Sequence, residues 1–196
     1  MARPIEDHSL DQLFRDARSH QHWGDEAVSE TELRAIYELT KFGPTSANCS
    51  PARFVWVTSA DGKQRLARHA SAQNGPKILK APLTVIVGYD LAFAEKIPQL
   101  FPAMPTAKDW FADPAVASTT AIRNGTLQGG YFILAARALG LDAGPMSGFR
   151  EAEIDGAFFP DGRGKTTMVI NLGYGDRGAL APRGPRLTFE ETARIV

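Results

Sequence analysis

This sequence of 196 residues has one cysteine, no excess of charge and no long apolar run. The lone Cys49 excludes an internal disulfide and any zinc or iron–sulfur site that needs several cysteines. The 22 basic and 22 acidic residues cancel, so no overall field would attract nucleic acid or an anionic membrane. The longest apolar block covers residues 131–136, which is far too short to span a bilayer. We therefore expect neither a nucleic acid nor a membrane as a partner.

The rest of the composition fits a single folded domain. With 43% hydrophobic residues, a chain of this length can bury a full core, and we take residues 1–196 as one domain. The N-terminal residues 1–10 contain acidic side chains and Pro4 in place of a basic start and an apolar stretch. That composition is unlike a secretion signal, and a single cysteine fits a reducing compartment. We expect a cytoplasmic protein.

Two capping-box patterns predict where helices begin. Ser29 and Glu32 precede an apolar repeat with helical spacing, and Ser9 and Gln12 precede a shorter one. We expect the shorter helix to end at residues 18–20. Both helices come before the first strand pattern, so the chain opens with helical structure.

The longest helix is predicted over residues 118–139 and is almost free of charge. It contains Gly125, Gly129 and Gly130, and each glycine inside a helix costs about 1 kcal/mol relative to alanine. Something should approach this helix closely to justify them. We expect it at the centre of the fold, with Gly140 ending it.

Three apolar runs predict strands, at residues 54–57, 83–87 and 168–172. The first two are unbroken, which is typical of strands buried on both faces. Between them and the long helix, residues 93–114 carry four prolines among aromatic rings. That combination interrupts regular structure while leaving apolar side chains, and it indicates a lid or a partner surface.

Small polar residues crowd between two prolines in residues 43–51, where the second helix gives way to a strand. Hydroxyls and an amide at the edge of a core can hydrogen-bond a planar polar ligand. A second segment with proline and glycine, residues 144–149, follows the long helix in the same manner. We predict that these two segments form the functional site.

A glycine motif points to a competing chemistry. Gly173, Gly175 and Gly178 match the G-x-G-x-x-G pattern of dinucleotide-binding turns. Such a turn needs a helix directly after it to receive the pyrophosphate, and here Pro182 and Pro185 follow instead. We interpret the motif as a loop.

No side chain is a clear catalytic group or metal ligand. His20 and His22 lack a third ligand at suitable spacing, so we interpret them as a solvated or ligand-contacting pair and expect no metal site. Cys49 has no obvious histidine partner, and we interpret it as a packing residue. Scattered polar contact points without an acid, base or nucleophile are typical of an enzyme whose cofactor carries the chemistry.

Residues 43–53 and 140–149 resemble the nitroreductase family of FMN-dependent oxidoreductases, and the similarity extends almost from end to end. Within that family they are most similar to the malonic semialdehyde reductase branch, which is associated with pyrimidine breakdown. The resemblance implies one FMN-binding domain with an α+β fold, in which helices wrap a central mixed or antiparallel sheet. It also implies an intertwined homodimer with FMN at its interface and NADPH or NADH as electron donor.

The resemblance implies that Arg18, Ser19 and His20 hold the FMN phosphate and part of the ring edge, joined by Arg183 or Arg186 from the tail. Arginine suits a phosphate because its fork can donate two parallel hydrogen bonds.

Other positions are carried over to the rest of the flavin. Asn74 and Lys77 match residues near the ribityl chain and the pyrimidine edge, where a cation would stabilise negative charge on reduced flavin. One further group meets the flavin from the opposite subunit: Pro44, Thr45, Ser46 and Asn48. A second group lies beneath the reactive face of the ring: Pro145, Met146, Ser147 and Gly148.

Two positions depart from the wider family pattern. His22 stands where many members have a second arginine or lysine, which weakens or removes that ring contact. Ser147 stands where many members have glutamate, which alters the electrostatics of the N5 face. Both departures agree with the narrower branch.

The implied reaction is a ping-pong cycle in which a nicotinamide cofactor passes hydride to FMN, leaves, and is replaced by a small oxidised substrate. For the narrower branch the substrate is malonic semialdehyde, which is reduced to 3-hydroxypropionate. One alternative is a broad reductase of nitroaromatics or quinones that uses the same flavin. Another is a flavin-binding or interaction protein without turnover, which docks through residues 93–111.

Overall fold

The computed structural model describes residues 3–196, and a four-stranded sheet lies at its centre. The strands are β1 (Ala52–Val57), β2 (Leu83–Asp90), β3 (Asp142–Met146) and β4 (Gly164–Gly173). Their spatial order is β1-β2-β4-β3, and every neighbouring pair is antiparallel. Within this chain the sheet is therefore antiparallel, with β1 and β3 at its two edges.

Helices and short helical turns make up most of the remaining structure. The helices are α1 (Asp7–Leu10, continued by a π-helical turn Asp11–Arg15), α2 (Glu30–Thr40), α3 (Ala60–Ala67), α4 (Gly75–Lys80), α5 (Ile97–Leu100), α6 (Pro114–Ala138), α7 (Glu151–Phe158) and α8 (Phe189–Thr192). Short 3₁₀ segments cover Ser46–Asn48, Phe93–Lys96, Pro105–Phe111 and Arg177–Ala179.

Helices cover both faces of the sheet. On one face Val85 of β2 packs in a buried cluster with Ile36 of α2 and Phe132 of α6. On the other face Ile86 of β2 packs with side chains of α3 and α4 and with Ile154 of α7. Because both faces are covered, successive residues of β2 are all apolar or buried. The predicted α+β fold, a sheet wrapped by helices, is confirmed.

The capping box of α2 is present as predicted. Ser29 Oγ accepts a hydrogen bond from the Glu32 N–H, and the Glu32 carboxylate accepts one from the Ser29 N–H. The long helix α6 is also present, and it begins at Pro114 behind an Asp113 cap, earlier than the apolar pattern predicts. Gly140, with φ of 84°, follows its end. Local signals therefore located both helices.

The predicted capping box at Ser9 and Gln12 is wrong. Ser9 lies inside α1, and Gln12 Nε2 donates to the Arg137 carbonyl at the end of α6, at 2.7 Å. The helical segment ends at Arg15, so residues 18–20 lie outside it. These three residues are thereby free to run beside the sheet.

Two of the three glycines in α6 permit close packing on the sheet. A Cβ at Gly125 would lie 2.9 Å from Tyr89 Cβ, and one at Gly129 would lie 3.3 Å from Met168 Cε. A Cβ at Gly130 would meet nothing within 4 Å, because this residue faces outward. The close packing of α6 on the sheet confirms the predicted central position of this helix.

β1 is less buried than its apolar sequence predicts. Its central residues 53–56 are all partly exposed, because the strand lies at an edge of the sheet. The interior position predicted for residues 83–87 is confirmed in β2. An apolar run indicates burial, but it does not distinguish an edge strand from a central one.

Residues 93–111 form short helical turns around a small core of their own. Phe93 and Ile97 are buried there with Cys49 and with Ala121 of α6. Cys49 is 1% exposed, and burial raises the pKa of its thiol to about 11. Its interpretation as a packing residue is confirmed. Among residues 3–196, no helix is both long and apolar enough to cross a membrane.

Candidate functional site

The edge strand β3 is the element around which most candidate site residues gather. At its start, Ser19 forms a parallel bridge with Ala143, and the His20 N–H donates to the Ala143 carbonyl at 3.1 Å. Residues 18–20 therefore run along the outer edge of β3. In this position the Ser19 side chain is exposed and the Arg18 side chain is partly exposed.

At the other end of β3, exposed Ser147 and Gly148 meet the loop before α4. The Gly148 carbonyl accepts from the Ser71 N–H at 2.8 Å and from Asn74 Nδ2 at 3.3 Å. A Cβ at Gly148 would lie 2.8 Å from Asn74 Nδ2, so this close approach favours glycine. The structure brings Asn74 and Gly148 together. Pro145 and Met146 precede them, paired with β4.

Three polar side chains around β3 have no partner among residues 3–196. Lys77 makes neither a hydrogen bond nor an ion pair there, and the Ser19 and Ser147 hydroxyls make no hydrogen bond. Lys77 lies one helical turn after Asn74, whose carbonyl accepts from the Lys77 N–H at 3.1 Å. A cation and two hydroxyls are therefore available to a ligand along this strand.

The tail places one of its two candidate arginines beside Arg18. Arg183 Nη2 donates to two backbone carbonyls just after α1, at 2.6 and 2.9 Å, while Arg18 Nη2 donates to the Ala181 carbonyl at 2.6 Å. Arg186 instead donates to the carbonyls of its own neighbours, Gly184 and Pro185. Of the two arginines that the sequence left open, Arg183 is the one fastened to this region.

The His20 side chain is buried, whereas the sequence predicted a solvated or ligand-contacting pair. It is 2% exposed, and its Nε2 lies 3.3 Å from Asp142 Oδ1. Burial lowers the pKa of His20, and the Asp142 carboxylate opposes that shift. The solvated interpretation is wrong for His20, because the fold surrounds its ring, whereas His22 is exposed. Among the described residues no group of three or more histidine, cysteine or acidic side chains could hold a metal.

The glycine motif forms a loop, as interpreted. Gly173 ends β4, Gly175 forms an isolated bridge with Trp23, and Gly178 lies in a 3₁₀ turn. The next α-helix begins at Phe189, too far along the chain to receive a pyrophosphate at these glycines. The structure therefore supplies no dinucleotide-binding turn here.

The turn Pro44–Asn48 lies apart from β3. The Ser46 N–H donates to Asn124 Oδ1 of α6 at 2.9 Å, and Asn48 Nδ2 donates to the Leu100 carbonyl of α5 at 2.8 Å. The Thr45 hydroxyl accepts from the Ser50 N–H at 3.1 Å, which closes the turn on itself. Within one chain, the structure does not bring this turn to the other candidate residues.

The same turn holds an unusual backbone conformation. Ala47 and Asn48 have φ of 50° and Ser50 has φ of 39°, in the left-handed region that favours glycine. This conformation costs an L-residue such as alanine about 1–2 kcal/mol, and asparagine tolerates it best. Strain of this kind concentrates at sites where function fixes the backbone.

Two residues that contact the candidate site were not predicted from the sequence. Ser71 binds the Gly148 carbonyl through its N–H, and Asn124 fastens the Pro44–Asn48 turn. Ser71 opens a polar loop whose composition could have marked it. Asn124 is a polar residue inside an apolar helix, 6% exposed, and that mismatch was the available signal.

Comparison with known proteins identifies the family of this chain. The model of the nitroreductase family matches residues 14–174. A protein of Caulobacter vibrioides (strain NA1000 / CB15N), provisionally named NADH dehydrogenase/NAD(P)H nitroreductase, is 54% identical over 192 residues, covering 98% of each chain.

Solved structures share the fold at low sequence identity. A provisionally assigned nitroreductase from Exiguobacterium sibiricum 255-15, crystallised with FMN, superposes with a TM-score of 0.87 at 19% identity, covering 100% of both chains. An enone reductase of gut-bacterial fatty acid saturation superposes with a TM-score of 0.82 at 18% identity, covering 98% of this chain and 100% of its own. Fold, family model and sequence relatives agree: the chain belongs to the nitroreductase family.

Proposed function

We propose that this protein is an FMN-dependent NAD(P)H oxidoreductase whose cofactor lies along β3. The observation that carries the proposal is the order of donors along this strand. Arg18 and Arg183 stand at one end of β3, and Asn74 and Lys77 stand at the other. FMN has an anionic phosphate at one end and a polar ring at the other, so its two ends match these two groups.

The arginine end suits the phosphate. Arg18 and Arg183 each use one terminal nitrogen in bonds to backbone carbonyls, which leaves further guanidinium N–H groups for phosphate oxygens. The Ser19 hydroxyl lies beside them and has no partner among residues 3–196. The bonds to the carbonyls hold the two side chains in place, which lowers the entropy lost on binding.

The lysine end suits the ring. When bound, FMN supplies the centre that accepts hydride from NAD(P)H and passes it to the substrate, which no side chain here can do. The Lys77 ammonium would stabilise negative charge at the pyrimidine edge, and Asn74 would orient that edge. Ser147 and Gly148 are exposed at the end of β3, where a hydroxyl and backbone groups can meet the ring.

We further propose a homodimer in which the Pro44–Asn48 turn of each chain completes the partner's site. Exposed apolar side chains of α6 support this proposal, because Ile122, Leu127 and Tyr131 are exposed by 46%, 43% and 37%. Gly130 also faces outward and leaves room for a second backbone. Exposed large apolar side chains of this kind would be covered in a protein–protein contact.

The tail and β1 support an intertwined form of this dimer. β1 has an unpaired edge, and a cavity of about 830 Å³ opens beside it between Trp56 and Tyr37 of α2. The tail carries Leu187, Phe189 and Ile195, which are exposed by 68%, 58% and 90% in one chain. An apolar tail and an open strand edge are complementary, so we propose that the tail of a second copy covers this edge.

For the substrate we propose malonic semialdehyde, reduced to 3-hydroxypropionate. Besides the resemblance of residues 43–53 and 140–149, the site chemistry favours a substrate that carries a carboxylate. The resemblance implies that many family members have glutamate at the position of Ser147, so here no carboxylate repels an anionic substrate.

A broad reductase of nitroaromatics or quinones is the second candidate. It is favoured by the name of the Caulobacter relative, an NAD(P)H nitroreductase. The enone reductase with the same fold illustrates that this architecture serves several substrates. A third candidate, a flavin-binding protein without turnover, is favoured by the exposed Trp110 and Met104 in residues 93–111 (57% and 43%).

Absorbance spectroscopy of the purified protein tests these candidates together. We expect a yellow protein that NADPH or NADH bleaches without oxygen and that malonic semialdehyde restores. A colourless protein that fails to bind added FMN would overturn the flavin proposal. Faster recovery with a nitroaromatic than with the semialdehyde would favour the broad reductase, and bleaching without recovery by either would favour the non-catalytic candidate.

Light scattering on the same sample tests the dimer. We expect the mass of two chains, and we expect Leu127→Glu to give single chains that lose FMN. A wild-type protein with the mass of one chain that still retains FMN would overturn the shared site.

A further inference from the structure

His20 is enclosed by a close-fitting set of residues, Asp142, Gly144 and Gly175, which we call the His20 socket. A Cβ at Gly175 would lie 2.0 Å from His20 Nδ1, and one at Gly144 would lie 2.3 Å from the His20 carbonyl oxygen. Asp142 joins the parts, because its Oδ1 lies 3.3 Å from His20 Nε2 and its Oδ2 accepts from the Gly175 N–H at 3.0 Å. Gly175 is therefore required for the imidazole to fit, and Gly144 is required for the close approach of the His20 backbone.

The socket explains why glycines occupy two positions of the G-x-G-x-x-G motif, although the motif forms no dinucleotide-binding turn. Gly175 makes room for His20, and a Cβ at Gly173 would lie 2.6 Å from Pro82 Cγ and 3.2 Å from Trp23 Cε3. Gly175 thus admits the His20 ring, and Gly173 admits the side chains of Pro82 and Trp23. Close packing around residues 20–23 replaces the helix–phosphate contact that the same motif makes in dinucleotide-binding turns.

The socket lies directly after the proposed phosphate end of the site. Arg18 and Ser19 precede His20, and the Ser19–Ala143 bridge holds them at the edge of β3. Residues 18–20 are outside α1, so edge pairing and the buried ring of His20 are what fix their backbone. A fixed backbone presents ligand-binding side chains without an ordering cost at the moment of binding.

We propose that His20 is a positioning residue for the FMN phosphate, held by Asp142 and Gly175, and that its side chain does not contact the flavin. The proposal rests on the proposed function, because it assumes the FMN site along β3. The influence of His20 on binding should be confined to the phosphate end, since Lys77 and Ser147 lie at the opposite end of the strand. Disturbing the socket should therefore weaken FMN and spare a flavin that lacks the phosphate.

Binding of FMN and of riboflavin to the flavin-free protein tests this assignment, because riboflavin lacks the phosphate. We expect the wild type to prefer FMN. Gly175→Ala forces the imidazole out of the socket and should weaken FMN binding by about 10- to 100-fold, as small misplacements in sites do. Riboflavin binding should change by less than about twofold, so the ratio of the two affinities falls.

Asp142→Asn and Gly156→Ala complete the design. Asp142→Asn keeps the shape of the side chain and should lower the ratio by about 3- to 10-fold, since a charge-assisted bond becomes a neutral one. Gly156→Ala is the matched control, because a Cβ there meets nothing within 4 Å, and it should leave the ratio unchanged. Melting temperatures of the flavin-free proteins establish that each variant is folded. If Gly175→Ala does not fold, Asp142→Asn decides.

The outcomes are distinct. Equal losses of FMN and riboflavin in a folded variant, which leave the ratio unchanged, would mean that His20 is only structural. Full retention of both flavins would mean that the socket does not serve the phosphate. Either result overturns this inference and leaves the flavin proposal standing. A wild-type protein that binds neither flavin would overturn the proposed function and this inference with it.

Discussion

The region around β3 and the turn Pro44–Asn48 are the two halves of the candidate site, and they are built in opposite ways. Around β3, residues 18–20 and 147–148 are tied to neighbouring backbone by hydrogen bonds. None of these residues has a positive φ. In the turn, by contrast, residues 47 and 48 lie in the left-handed region, as does residue 50 just after it, and the contacts go to α5 and α6.

Under the proposed dimer, the difference separates a half whose contacts come from one chain from a half that would face a second copy. The β3 region gathers cations and hydroxyls from several elements onto one strand, so one chain supplies polar contacts for both ends of a ligand there. The turn is fastened on its inner side by Asn124, while Pro44 and Asn48 remain exposed. A strained backbone with exposed polar groups and no ligand partner in its own chain fits a contact with a second copy.

Among these variants, Lys77→Gln should have the largest effect, a slower reduction of the flavin. An unchanged rate would contradict the assignment of the flavin ring to the β3 region. Loss of a charge-assisted interaction worth about 1.5–3 kcal/mol should slow flavin reduction by NADPH by about 10- to 100-fold. Stopped-flow absorbance measures this rate. Lys80→Gln is the control, since Lys80 is an exposed lysine on the same helix. Equal rates in both variants would contradict a role of Lys77 at the ring.

Asn124→Ala tests the other half of the comparison. Removing the side chain leaves the Ser46 N–H without its acceptor, and we expect the free energy of unfolding to fall by about 1–3 kcal/mol. FMN should be retained less well, because the turn loses its anchor, but the intact β3 region should still bind some flavin. Urea unfolding and FMN titration measure the two effects.

Ser118→Ala is the control for that variant, since Ser118 lies on α6 and makes no hydrogen bond within residues 3–196. Full FMN retention in folded Asn124→Ala would argue that the turn does not belong to the site.

The fold could be predicted where a signal is local and not where it depends on distant partners. The capping box of α2 and the apolar run of β2 are properties of a few consecutive residues, and both are found. β3 was not predicted as a strand, because its Gly144-Pro145 pair has low strand propensity. It exists because β4 pairs with it and because Gly144 leaves room for the His20 carbonyl.

The same distinction applies to the site. Its segments were identified along the sequence, but the burial of His20 depends on Asp142 and Gly175, which lie more than a hundred residues away in the chain. The choice between Arg183 and Arg186 depends on where the tail crosses the end of α1. No pattern within a short window contains such information, so these features required the structure.

Asn48→Ala and Cys49→Ala compare the last residue of the turn with the residue that follows it. Asn48 loses its bond to the Leu100 carbonyl and acquires alanine in a left-handed conformation, so FMN should dissociate several-fold faster, about the effect of 1 kcal/mol. Cys49 is buried away from the surface, and its variant should retain FMN normally while melting slightly lower. Flavin fluorescence during dilution measures dissociation. Indistinguishable dissociation in the two variants would contradict the role of Asn48.

The two halves of the site should also respond to pH at opposite ends of the range. Burial lowers the pKa of His20 in the folded state, so below about pH 6.5 the unfolded chain takes up a proton that the folded chain does not. Stability should therefore fall as the pH drops, and His20→Gln should flatten that dependence. The charged groups that face His20 are Asp142, Arg177, Arg18 and Asp176.

The turn should show the alkaline counterpart. Burial raises the pKa of Cys49 to about 11, so above about pH 8.5 the unfolded chain releases a proton that the folded chain keeps. Stability should fall as the pH rises, and Cys49→Ala should remove this component of the loss. Urea unfolding between pH 5 and pH 10 measures both arms. If Cys49→Ala instead reduced the loss of stability at low pH, the assignment of that loss to His20 would be contradicted.

Ala47→Gly should give the smallest effect and isolates the backbone strain of the turn. Glycine adopts φ of 50° without the cost to alanine of about 1–2 kcal/mol, and it loses about 0.5–1 kcal/mol of this gain to the greater freedom of the unfolded chain. We therefore expect stabilisation of about 0.5–1 kcal/mol by urea unfolding. The control is Ser19→Gly beside β3, where no positive φ needs relief and destabilisation is expected. If Ala47→Gly destabilises equally, the turn is not strained, and its contrast with the β3 region rests on its contacts alone.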